Sequence, residues 1–297
     1  MRIGIFINGE RGIRVIKSLV KNNKKPECVF LLKSLSLSYQ DKLKKLKLKT
    51  IFFSKTIEEE IISVIKNLKI ELLIVAGFPI IFKEPMINST RFGMLNLHAG
   101  PVPKYRGGSP LNWQIINGEK KIGISFLNLD KNIDSGNIYK IYYFNLSRNE
   151  NIKHAHVKAN DLFAEKIDDV IQRIVLGDKG RRQNKKSLYW HQRSEVDSQI
   201  DWHKKAEEIL NFIRALTRPY NGAFTFYQNI KIKIFEAELT SLNFCGTVGR
   251  FFRHSDLGLI VVCGENAIII KEYQISGKIS KLSNGLFDYK STNSKNF

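Results

Sequence analysis

Short apolar runs alternate with amphipathic repeats along the first part of the chain. The apolar runs predict buried β-strands at residues 1–7, 28–32, 50–53, 72–76, 122–127 and 138–144. Apolar residues at helical spacing predict helices after residue 12 and at residues 56–69, 110–117 and 155–176. The run at 72–76 is apolar throughout, which is typical of a parallel strand covered on both faces. This alternation predicts a doubly wound α/β domain with a mostly parallel sheet.

The pattern changes after residue 177. Glycine and basic residues at 177–186 predict an exposed linker. A helix is predicted at 206–216, followed by short strands at 223–227, 231–237, 246–252, 258–263 and 267–273. Short strands at regular intervals predict a small β-barrel or sandwich, and the polar residues 289–297 are expected to fray. We therefore expect two domains, residues 1–190 and residues 191–297, the second with a linker helix and an OB-like barrel.

The chain is strongly basic, with 48 Lys and Arg against 28 Asp and Glu and a formal charge of +20. Such a balance raises the question of a nucleic-acid interface. Most of the lysines are spread along the chain, and a dispersed basic surface attracts any polyanion without specificity. Only residues 42–49 are concentrated, and their alternation predicts a solvated helix end or edge strand. We do not expect nucleic acid to be the partner.

The sequence also argues against a membrane protein and against a metal site. No stretch approaches the roughly 20 apolar residues that cross a bilayer. The first residues predict a buried strand rather than a secretory leader, so we expect a cytoplasmic protein without a membrane partner. No CxxC or HExxH pattern occurs, and no metal is expected.

A polar pair lies where an apolar run ends near residue 98. Asn96 and His98 stand two residues apart, so in an extended strand both side chains point to one face. Glycines and prolines that neither a helix nor a central strand tolerates follow at once. Active sites commonly occupy this position, beyond the carboxyl ends of strands in parallel sheets.

The residue types of this pair suit acyl or phosphoryl transfer. A neutral imidazole is the usual general base near pH 7, and an amide can donate to an oxygen that becomes negative. Asp134, in a glycine-flanked loop, would accept a proton from His98 or fix its orientation. Neither Asn96 nor His98 has a serine or cysteine neighbour placed as a nucleophile, which favours direct attack by a substrate amine. The alternative is a structural histidine, with Asp134 as a turn residue.

Two other predicted strand ends carry candidate binding loops. Residues 8–12 would hold an anion at a helix amino terminus, although they lack the full GxGxxG pattern of nicotinamide dinucleotide sites. Residues 77–81 interrupt regular structure after the central strand, and their backbone would hydrogen-bond a flat heterocycle. For both loops, a plain turn between elements is the alternative interpretation.

Three segments together resemble the signature of the 10-formyltetrahydrofolate-dependent formyltransferases: Asn96-Leu97-His98, Pro103-Lys104-Tyr105-Arg106-Gly107 and Asp134-Ser135-Gly136. The resemblance continues through residues 110–113, 117–119, 200–202 and 214–224, so it covers most of the chain. It implies a Rossmann-like catalytic domain followed by the small barrel. One departure lies after the histidine, where the family has Ser-Leu-Leu-Pro and this chain has Ala99-Gly100-Pro101-Val102-Pro103, so the shape of that loop stays open.

The resemblance implies a role for each member of the polar set. His98 would accept the proton of the acceptor amine, Asn96 would bind the formyl oxygen, and Asp134 would hold His98. The folate pterin would lie against two loops, represented by Phe78, Pro79, Ile80, Asn128, Leu129 and Asp130. The candidate contacts of the acceptor are polar, basic or aromatic: Asn8, Arg11, Lys104, Tyr105, Arg106, Trp113 and Tyr220. Packing is the alternative for Tyr105 and Trp113, and a place at the domain junction is the alternative for Tyr220.

Two branches of the family have this two-domain length, the methionyl-tRNA formyltransferases and the sugar N-formyltransferases. Residues 110–113, 117–119 and 219–224 resemble the sugar branch, and residues 32–37 have no counterpart of the basic, Pro- and Gly-rich loop that grips tRNA. The resemblance therefore implies a homodimeric enzyme that transfers formyl from 10-formyltetrahydrofolate to a dTDP- or UDP-linked amino sugar and releases tetrahydrofolate. Its product would serve glycan synthesis, such as that of lipopolysaccharide O-antigen. The alternatives are a methionyl-tRNA formyltransferase and a catalytically inactive, basic nucleic-acid-binding protein.

Overall fold

A computed structural model describes residues 1–32, 36–54, 58–184, 186–276 and 281–288. Three of the sequence predictions concern residues outside this description. They are the start of the helix predicted at 56–69, the middle of the segment 32–37, and the fraying of 289–297. The chain divides into two compact units. Unit 1 comprises residues 1–110, 121–145 and 156–191, and unit 2 comprises residues 111–120, 146–155 and 192–297.

Strands and helices alternate through unit 1, and strands dominate unit 2. The strands are β1 Ile3–Ile7, β2 Cys28–Leu32, β3 Thr50–Phe53, β4 Leu72–Ala76, β5 Met94–His98, β6 Arg106–Gly107, β7 Lys121–Asn128, β8 Ile138–Asn145, β9 Tyr189–Trp190, β10 Ala223–Tyr227, β11 Ile230–Leu239, β12 Arg250–His254, β13 Gly258–Val262, β14 Ala267–Ser276 and β15 Asn284–Leu286. The α-helices are α1 Glu10–Lys21, α2 Ser36–Lys45, α3 Glu58–Asn67, α4 Glu84–Ile87, α5 Pro110–Ile116, α6 Ile152–Val175 and α7 Ala206–Leu216.

The main sheet of unit 1 has seven strands in the order β3-β2-β1-β4-β5-β7-β8. Neighbours from β3 to β5 are parallel, whereas β7 is antiparallel to β5 and β8 is antiparallel to β7. The residues of β1 and β4 are buried along their whole length, as their unbroken apolar runs predict. The predicted α/β class with a mostly parallel sheet is confirmed.

Helix α1 approaches strand β1 closely because of a glycine. It buries Ile13, Ile16 and Leu19 on one face, the face that their spacing predicts. A Cβ atom at Gly12 would lie only 2.3 Å from Cβ of Ile7. The absence of a side chain at position 12 therefore sets the distance between the first strand and the first helix.

Helix α6 lies alongside α1 and is tied to it by polar side chains. Three hydrogen bonds follow both helices in order, Arg11–Asn160, Arg14–Asp161 and Ser18–Ala164. Just after the end of α1, Lys24 contacts Asp168 of α6. Helix α6 is 24 residues long, but its charged positions leave no apolar span of membrane length. Among the described residues, no helix is long and apolar enough to cross a membrane.

His156 lies on α6, one turn before Asn160. Burial, and secondarily the positive charge of Arg11, lower the pKa of His156 from 6.5 to about 4. The folded protein therefore holds this imidazole neutral at pH values where an unfolded chain would protonate it.

Five phenylalanines form one cluster at the carboxyl ends of the first strands of unit 1. Its members are Phe6 on β1, Phe30 on β2, Phe53 on β3, and Phe78 and Phe82 after β4. Phe6 stacks on Phe30 at 4.4 Å between ring centroids, and the rings of Phe78 and Phe82 lie parallel at 5.9 Å. Aromatic pairs of this kind add to the stabilisation from burial alone. The cluster anchors the irregular segment that follows β4.

The basic run at residues 42–49 is a solvated surface, as predicted. It comprises the end of α2 and the turn that leads to β3. Its five lysines are exposed, whereas Leu43 and Leu48 are buried. The alternation of lysine and leucine reflects one face packed on the protein and one face in water.

The sheet of unit 2 is antiparallel and has six strands in the order β10-β11-β14-β13-β12-β15. An additional bridge joins Phe226 of β10 to Asp288, beyond β15, so the sheet curls towards a barrel. The strand predicted at 246–252 is placed later, because Gly246 and Gly249 have positive φ angles of 140° and 80° and β12 starts after them. The short strand β15 has no apolar run and was not predicted.

The segment predicted as an exposed linker, residues 177–186, is paired through its backbone with unit 1. Arg181 and Ile138 exchange two backbone hydrogen bonds of 2.8 and 2.9 Å. Further on, β9 pairs in parallel with β6, a strand of only two residues. The segment is mostly exposed, as its glycine and basic residues predict, but it is not a free linker, because its backbone pairs with unit 1.

Replacing Gly12 by alanine is expected to destabilise the protein by about 1–3 kcal/mol, because the added methyl group would overlap Ile7. The loss outweighs the gain of about 1 kcal/mol that alanine brings to a helix interior. Equilibrium urea unfolding measures the change. The exposed Lys17→Ala on the same helix is the control, with a change within about 0.5 kcal/mol. A Gly12→Ala variant as stable as the native protein would contradict this packing.

The lowered pKa of His156 predicts a loss of stability in acid. The folded pKa lies below the unfolded value of 6.5, so the stabilisation is complete above pH 6.5 and is lost as the pH falls towards about 4. His156→Gln should reduce the loss between pH 7.5 and 4.5 by up to about 3 kcal/mol, since one pKa unit corresponds to about 1.4 kcal/mol. Urea unfolding at both pH values measures it, with the exposed Lys153→Gln as control. Equal losses in the native protein and His156→Gln would exclude His156 as the cause.

Candidate active site

The polar pair lies on strand β5, between the parallel β4 and the antiparallel β7. The apolar neighbours Met94, Leu95 and Leu97 are buried, and they fix the register of this strand in the sheet. Asn96 and His98 therefore project together, and both side chains reach the carboxylate of Asp134.

The carboxylate of Asp134 joins three separate segments of unit 1. Its Oδ1 accepts a hydrogen bond from Nδ2 of Asn96 at 3.0 Å, and its Oδ2 accepts one from the backbone N–H of Gly107 at 2.9 Å. Oδ2 also lies 3.4 Å from Nδ1 of His98. Asp134 is only 8% exposed. Because a buried carboxylate is costly without donors, these contacts are what allow it to remain inside the protein.

The loop that presents Asp134 returns tightly against the end of β7. Asp134 itself has a positive φ of 49°, and a Cβ atom at Gly136 would lie 1.8 Å from the carbonyl oxygen of Asn128. Within the loop, Asp130 accepts hydrogen bonds from Oγ of Ser135 at 2.6 Å and from the backbone N–H of Asn132 at 3.0 Å. The glycine of the Asp-Ser-Gly motif is therefore required by close backbone approach.

The imidazole of His98 is held from its other side by a backbone carbonyl. Nε2 lies 2.6 Å from the carbonyl oxygen of Tyr105, so this nitrogen carries hydrogen and donates it. In the neutral ring, Nδ1 is then the nitrogen that takes up a proton, and it faces Asp134. A Cβ atom at Gly100 would lie 2.9 Å from Nε2 and 2.6 Å from the oxygen of Tyr105. Glycine at position 100 is therefore necessary for this contact.

Ser125 of β7 fixes the unfamiliar loop after the histidine. Its buried hydroxyl donates to the carbonyl oxygen of Gly100 at 2.7 Å and accepts from the backbone N–H of Val102 at 3.1 Å. The backbone N–H of Tyr105 closes the turn on the oxygen of Pro101 at 3.1 Å. Sequence reasoning missed Ser125, since a lone serine inside an apolar strand carries no signal until its partner across the sheet is known.

The two candidate folate loops meet at the aromatic cluster of unit 1. Phe78 is buried in that cluster, and the half-buried Ile80 and Leu129 pack against it. Pro79 is exposed between them. The backbone N–H of Leu129 donates to the oxygen of Met94 at 2.8 Å, which ties this loop to β5. The structure thus brings both loops to the same apolar surface next to the strand that carries the polar pair.

Asn8 and Arg11 lie at the carboxyl ends of β1 and β4. Nη1 of Arg11 donates to the carbonyl oxygen of Leu97 at 2.9 Å, between the two polar residues of β5. Its guanidinium also lies 4.9 Å from the ring centre of Phe163. The backbone N–H of Asn8 donates to the oxygen of Ala76 at 3.4 Å. Arg11 is partly buried, and it supports the strand as well as adding positive charge near the site.

The Lys104-Tyr105-Arg106 segment points its three side chains to different places. Lys104 is exposed and lies over the ring of Tyr105 at 5.5 Å. The side chain of Tyr105 is fully buried and stacks on Trp190 at 5.6 Å, which favours the packing alternative for this residue. Arg106 is 6% exposed, and its guanidinium donates to Gln183 and Tyr189.

The last two acceptor candidates belong to unit 2. Trp113 on α5 lies under the guanidinium of Arg193, 4.8 Å from the ring centre. Its neighbour Asn112 donates to the oxygen of Ala215 at 2.8 Å. Tyr220 is 40% exposed. The structure therefore places these two aromatic residues in a unit separate from Asn96, His98 and Asp134.

Unit 2 also contains a cavity of about 450 Å³. It lies between the turn of residues 196–204 and the end of the sheet at residues 286–288, and none of the polar set lines it. In the part of the chain that the structure describes, no group of three His, Cys, Asp or Glu is arranged to hold a metal ion.

The two halves of the sequence match one protein family. Residues 15–169 match the family described as Formyl transferase, and residues 193–284 match its C-terminal domain. Methionyl-tRNA formyltransferase of Caldanaerobacter subterraneus is 32% identical over 220 residues, which cover 73% of this chain and 71% of that protein.

Solved structures resemble the fold over most of its length. An N-formyltransferase from Helicobacter canadensis, in complex with folinic acid and dTDP-3-aminofucose, aligns with a TM-score of 0.71 at 20% identity over 92% of this chain and 100% of its own. Methionyl-tRNA formyltransferase from Clostridium thermocellum aligns with a TM-score of 0.60 at 20% identity over 81% and 94%. With both family domains in order along its sequence, this chain belongs to the formyltransferase family.

Proposed function

We propose that this formyltransferase moves the formyl group of 10-formyltetrahydrofolate to the primary amine of a nucleotide-linked amino sugar, of the dTDP or UDP type. The observation that most directly supports this proposal is the carboxylate of Asp134, which contacts both Asn96 and His98 inside a formyltransferase domain. An amide donor and an imidazole base on one carboxylate suit attack by an amine on a formyl carbon.

His98 is the proposed general base. Its Nε2–H is engaged by the oxygen of Tyr105, so the lone pair of the neutral ring is at Nδ1. The amine nitrogen attacks the formyl carbon and loses a proton to Nδ1. The resulting imidazolium is stabilised by Asp134, whose Oδ2 is 3.4 Å away. A carboxylate in this place orients the ring and favours its charged form.

Asn96 is the proposed donor to the formyl oxygen. One N–H of its amide donates to Asp134, which fixes the orientation of the group. The second N–H then points a fixed dipole at the oxygen that becomes negative when the carbon is tetrahedral. Collapse of the intermediate breaks the bond between the formyl carbon and N10 of the folate. N10 takes the proton that His98 received from the amine, which returns the imidazole to its neutral form, and tetrahydrofolate and the N-formyl sugar leave.

The folate is proposed to lie across the two loops that meet at the aromatic cluster. Phe78, Pro79 and Ile80 provide one side, and the loop from Asn128 to Asp130 provides the other. The apolar surface of Ile80 and Leu129 suits a flat heterocycle, whose polar edge would bind backbone groups of the loops.

The choice of a sugar nucleotide over tRNA is supported by sequence details. Residues 110–113, 117–119 and 219–224 resemble the sugar branch. Between β2 and α2 the sequence is Lys33-Ser34-Leu35, without proline or glycine. Asn8, Arg11 and Lys104 are the proposed neighbours of the diphosphate, because cationic and amide donors suit its oxygens. We further propose a homodimer in the cytoplasm whose product enters glycan synthesis, as the family resemblance implies.

Methionyl-tRNA formylation is the second candidate, because the relative from Caldanaerobacter subterraneus that carries this name is 32% identical over 220 residues. The positive charge of the chain, +20, suits a polyanionic acceptor as well as a diphosphate. The catalytic roles of Asn96, His98 and Asp134 are the same for both acceptors, since each presents a primary amine.

An acceptor panel separates these candidates. Purified protein with 10-formyltetrahydrofolate is expected to formylate at least one dTDP-, UDP- or GDP-linked amino sugar with a kcat/KM at least about 100-fold above that for methionyl-tRNA. Mass spectrometry of the products gives both rates. The opposite ranking would transfer the assignment to methionyl-tRNA. No turnover of either acceptor, with salt-dependent oligonucleotide binding, would support the inactive nucleic-acid-binding protein.

Substitutions in the polar set test the mechanism. Asn96→Ala is expected to lower kcat about 100- to 1000-fold, through loss of the donor to the formyl oxygen. Asp134→Asn and His98→Gln are each expected to lower kcat about 100- to 10,000-fold, because proton uptake is impaired. The exposed Lys140→Ala on β8 is the control and should retain native rates. A kcat within threefold of the native value for any of the three variants would remove that residue from the mechanism.

A further inference from the structure

Gln183 lies in the segment that leads from α6 back across unit 1. We call residues 181–190 the strap: it starts at the bridge between Arg181 and Ile138 and ends where β9 pairs with β6. Within the strap, Arg182 and Asn184 are exposed, whereas Gln183 between them is half-buried. Its side chain is therefore the one that turns inward at this point.

The amide of Gln183 makes four hydrogen bonds. Nε2 donates to the carbonyl oxygen of Asp134 at 2.9 Å and to that of Gly136 at 2.7 Å. Oε1 accepts from Nε of Arg106 at 2.9 Å and from Nη2 at 2.7 Å. Both hydrogens of the amide nitrogen and both lone pairs of its oxygen are thus used. The side chain links the strap to the backbone on either side of Ser135.

Arg106 sets the direction of this amide. A guanidinium has only donors, so the oxygen of Gln183 must face Arg106 and the nitrogen must face the loop. Arg106 is itself held: Nη1 donates to the hydroxyl of Tyr189 at 2.8 Å, and the guanidinium lies 5.3 Å from the centre of that ring. At 6% exposure, this cation is directed into unit 1. Its hydrogen bonds point to a role inside the protein, in place of the substrate contact expected from sequence.

The loop that Gln183 binds, residues 134–136, contains an unfavourable backbone conformation. Asp134 has a φ of 49°, a backbone conformation that side-chain-bearing residues rarely adopt. Such a conformation persists only where surrounding contacts determine it. Gln183 binds the carbonyl oxygens of Asp134 and Gly136, while Gly107 binds the carboxylate of Asp134 at 2.9 Å. Residues 106 and 107 thus fix Asp134 twice, once directly and once through Gln183.

We propose that Gln183, oriented by Arg106, is a positioning residue that holds the carboxylate of Asp134 against Asn96 and His98. The inference rests on the proposed catalytic role of Asp134. Supporting residues of this kind keep a reactive group within a fraction of an ångström of its productive position, and their loss typically costs about 10- to 100-fold in activity.

Gln183→Leu removes all four hydrogen bonds at similar size, and Gln183→Glu retains the contact with Arg106 while placing oxygen against the two carbonyl oxygens. Both variants are expected to lower kcat about 10- to 100-fold with KM for both substrates changed less than about threefold. The exposed neighbour Asn184→Ala is the matched control and keeps the native kcat. A Gln183→Glu variant with native kcat would show that only the contact with Arg106 matters and would overturn the proposal.

A double-mutant cycle tests whether Gln183 acts through Asp134. In an Asp134→Asn background, under single-turnover conditions, Gln183→Leu is expected to change the rate less than about threefold, because the group that it positions is already gone. A purely structural role would lower the rate by the same factor in both backgrounds. That outcome would overturn the proposal even if Gln183→Leu slows the native enzyme.

Hydrogen exchange at the Gly107 amide gives a readout that needs no acceptor. This N–H donates to Oδ2 of Asp134 at 2.9 Å. Gln183→Leu is expected to speed its exchange about tenfold or more, and Asn184→Ala to leave it unchanged. Unchanged protection in Gln183→Leu would overturn the positioning role. If no acceptor is turned over, the proposed function fails, while this measurement still decides whether Gln183 holds Asp134.

Discussion

The buried carboxylate of Asp134 is the interaction on which the rest of the site depends. Such a group is stable inside a protein only when hydrogen-bond donors replace water. The donors come from Asn96 and from the backbone of Gly107, with His98 at 3.4 Å, so three distant stretches of chain must meet at one point. In the proposed reaction, the same contacts orient an amide and an imidazole towards the formyl group. The contacts that stabilise the buried charge of Asp134 are therefore the same contacts that orient Asn96 and His98.

Close backbone approaches make that meeting possible. At Gly100 and Gly136 a side chain would overlap His98 and Asn128 respectively. Ser125 then fixes the loop after the histidine, and the strap fixes the loop that carries the carboxylate. The irregular segments around the site consequently each have a specific hydrogen-bond partner in the sheet or in the strap. This arrangement suits a reaction that depends on fixed donors.

The regular elements could be predicted from the sequence because their signals are local. Unbroken apolar runs identified β1 and β4, and helical spacing identified the buried face of α1. Expectations were incomplete where pairing depends on distant residues. Residues 177–186, which include the start of the strap, were expected to be an exposed linker, since their composition is that of a loop. Yet Arg181 pairs with Ile138, and the strap ends where β9 pairs with β6. The strands β6 and β9 are too short to have a pattern of their own.

For the candidate site, the sequence by itself determined which functional groups are available: an amide and an imidazole two positions apart, and an aspartate before a serine and a glycine. Only the tertiary structure decided where the other candidate side chains lie. It turned Arg106 inward to Gln183, buried Tyr105 beneath Trp190, and placed Trp113 in a different unit. The physical reason is that the alternation of a strand fixes the side of a residue locally, whereas the direction of a loop side chain depends on which remote donor or acceptor reaches it.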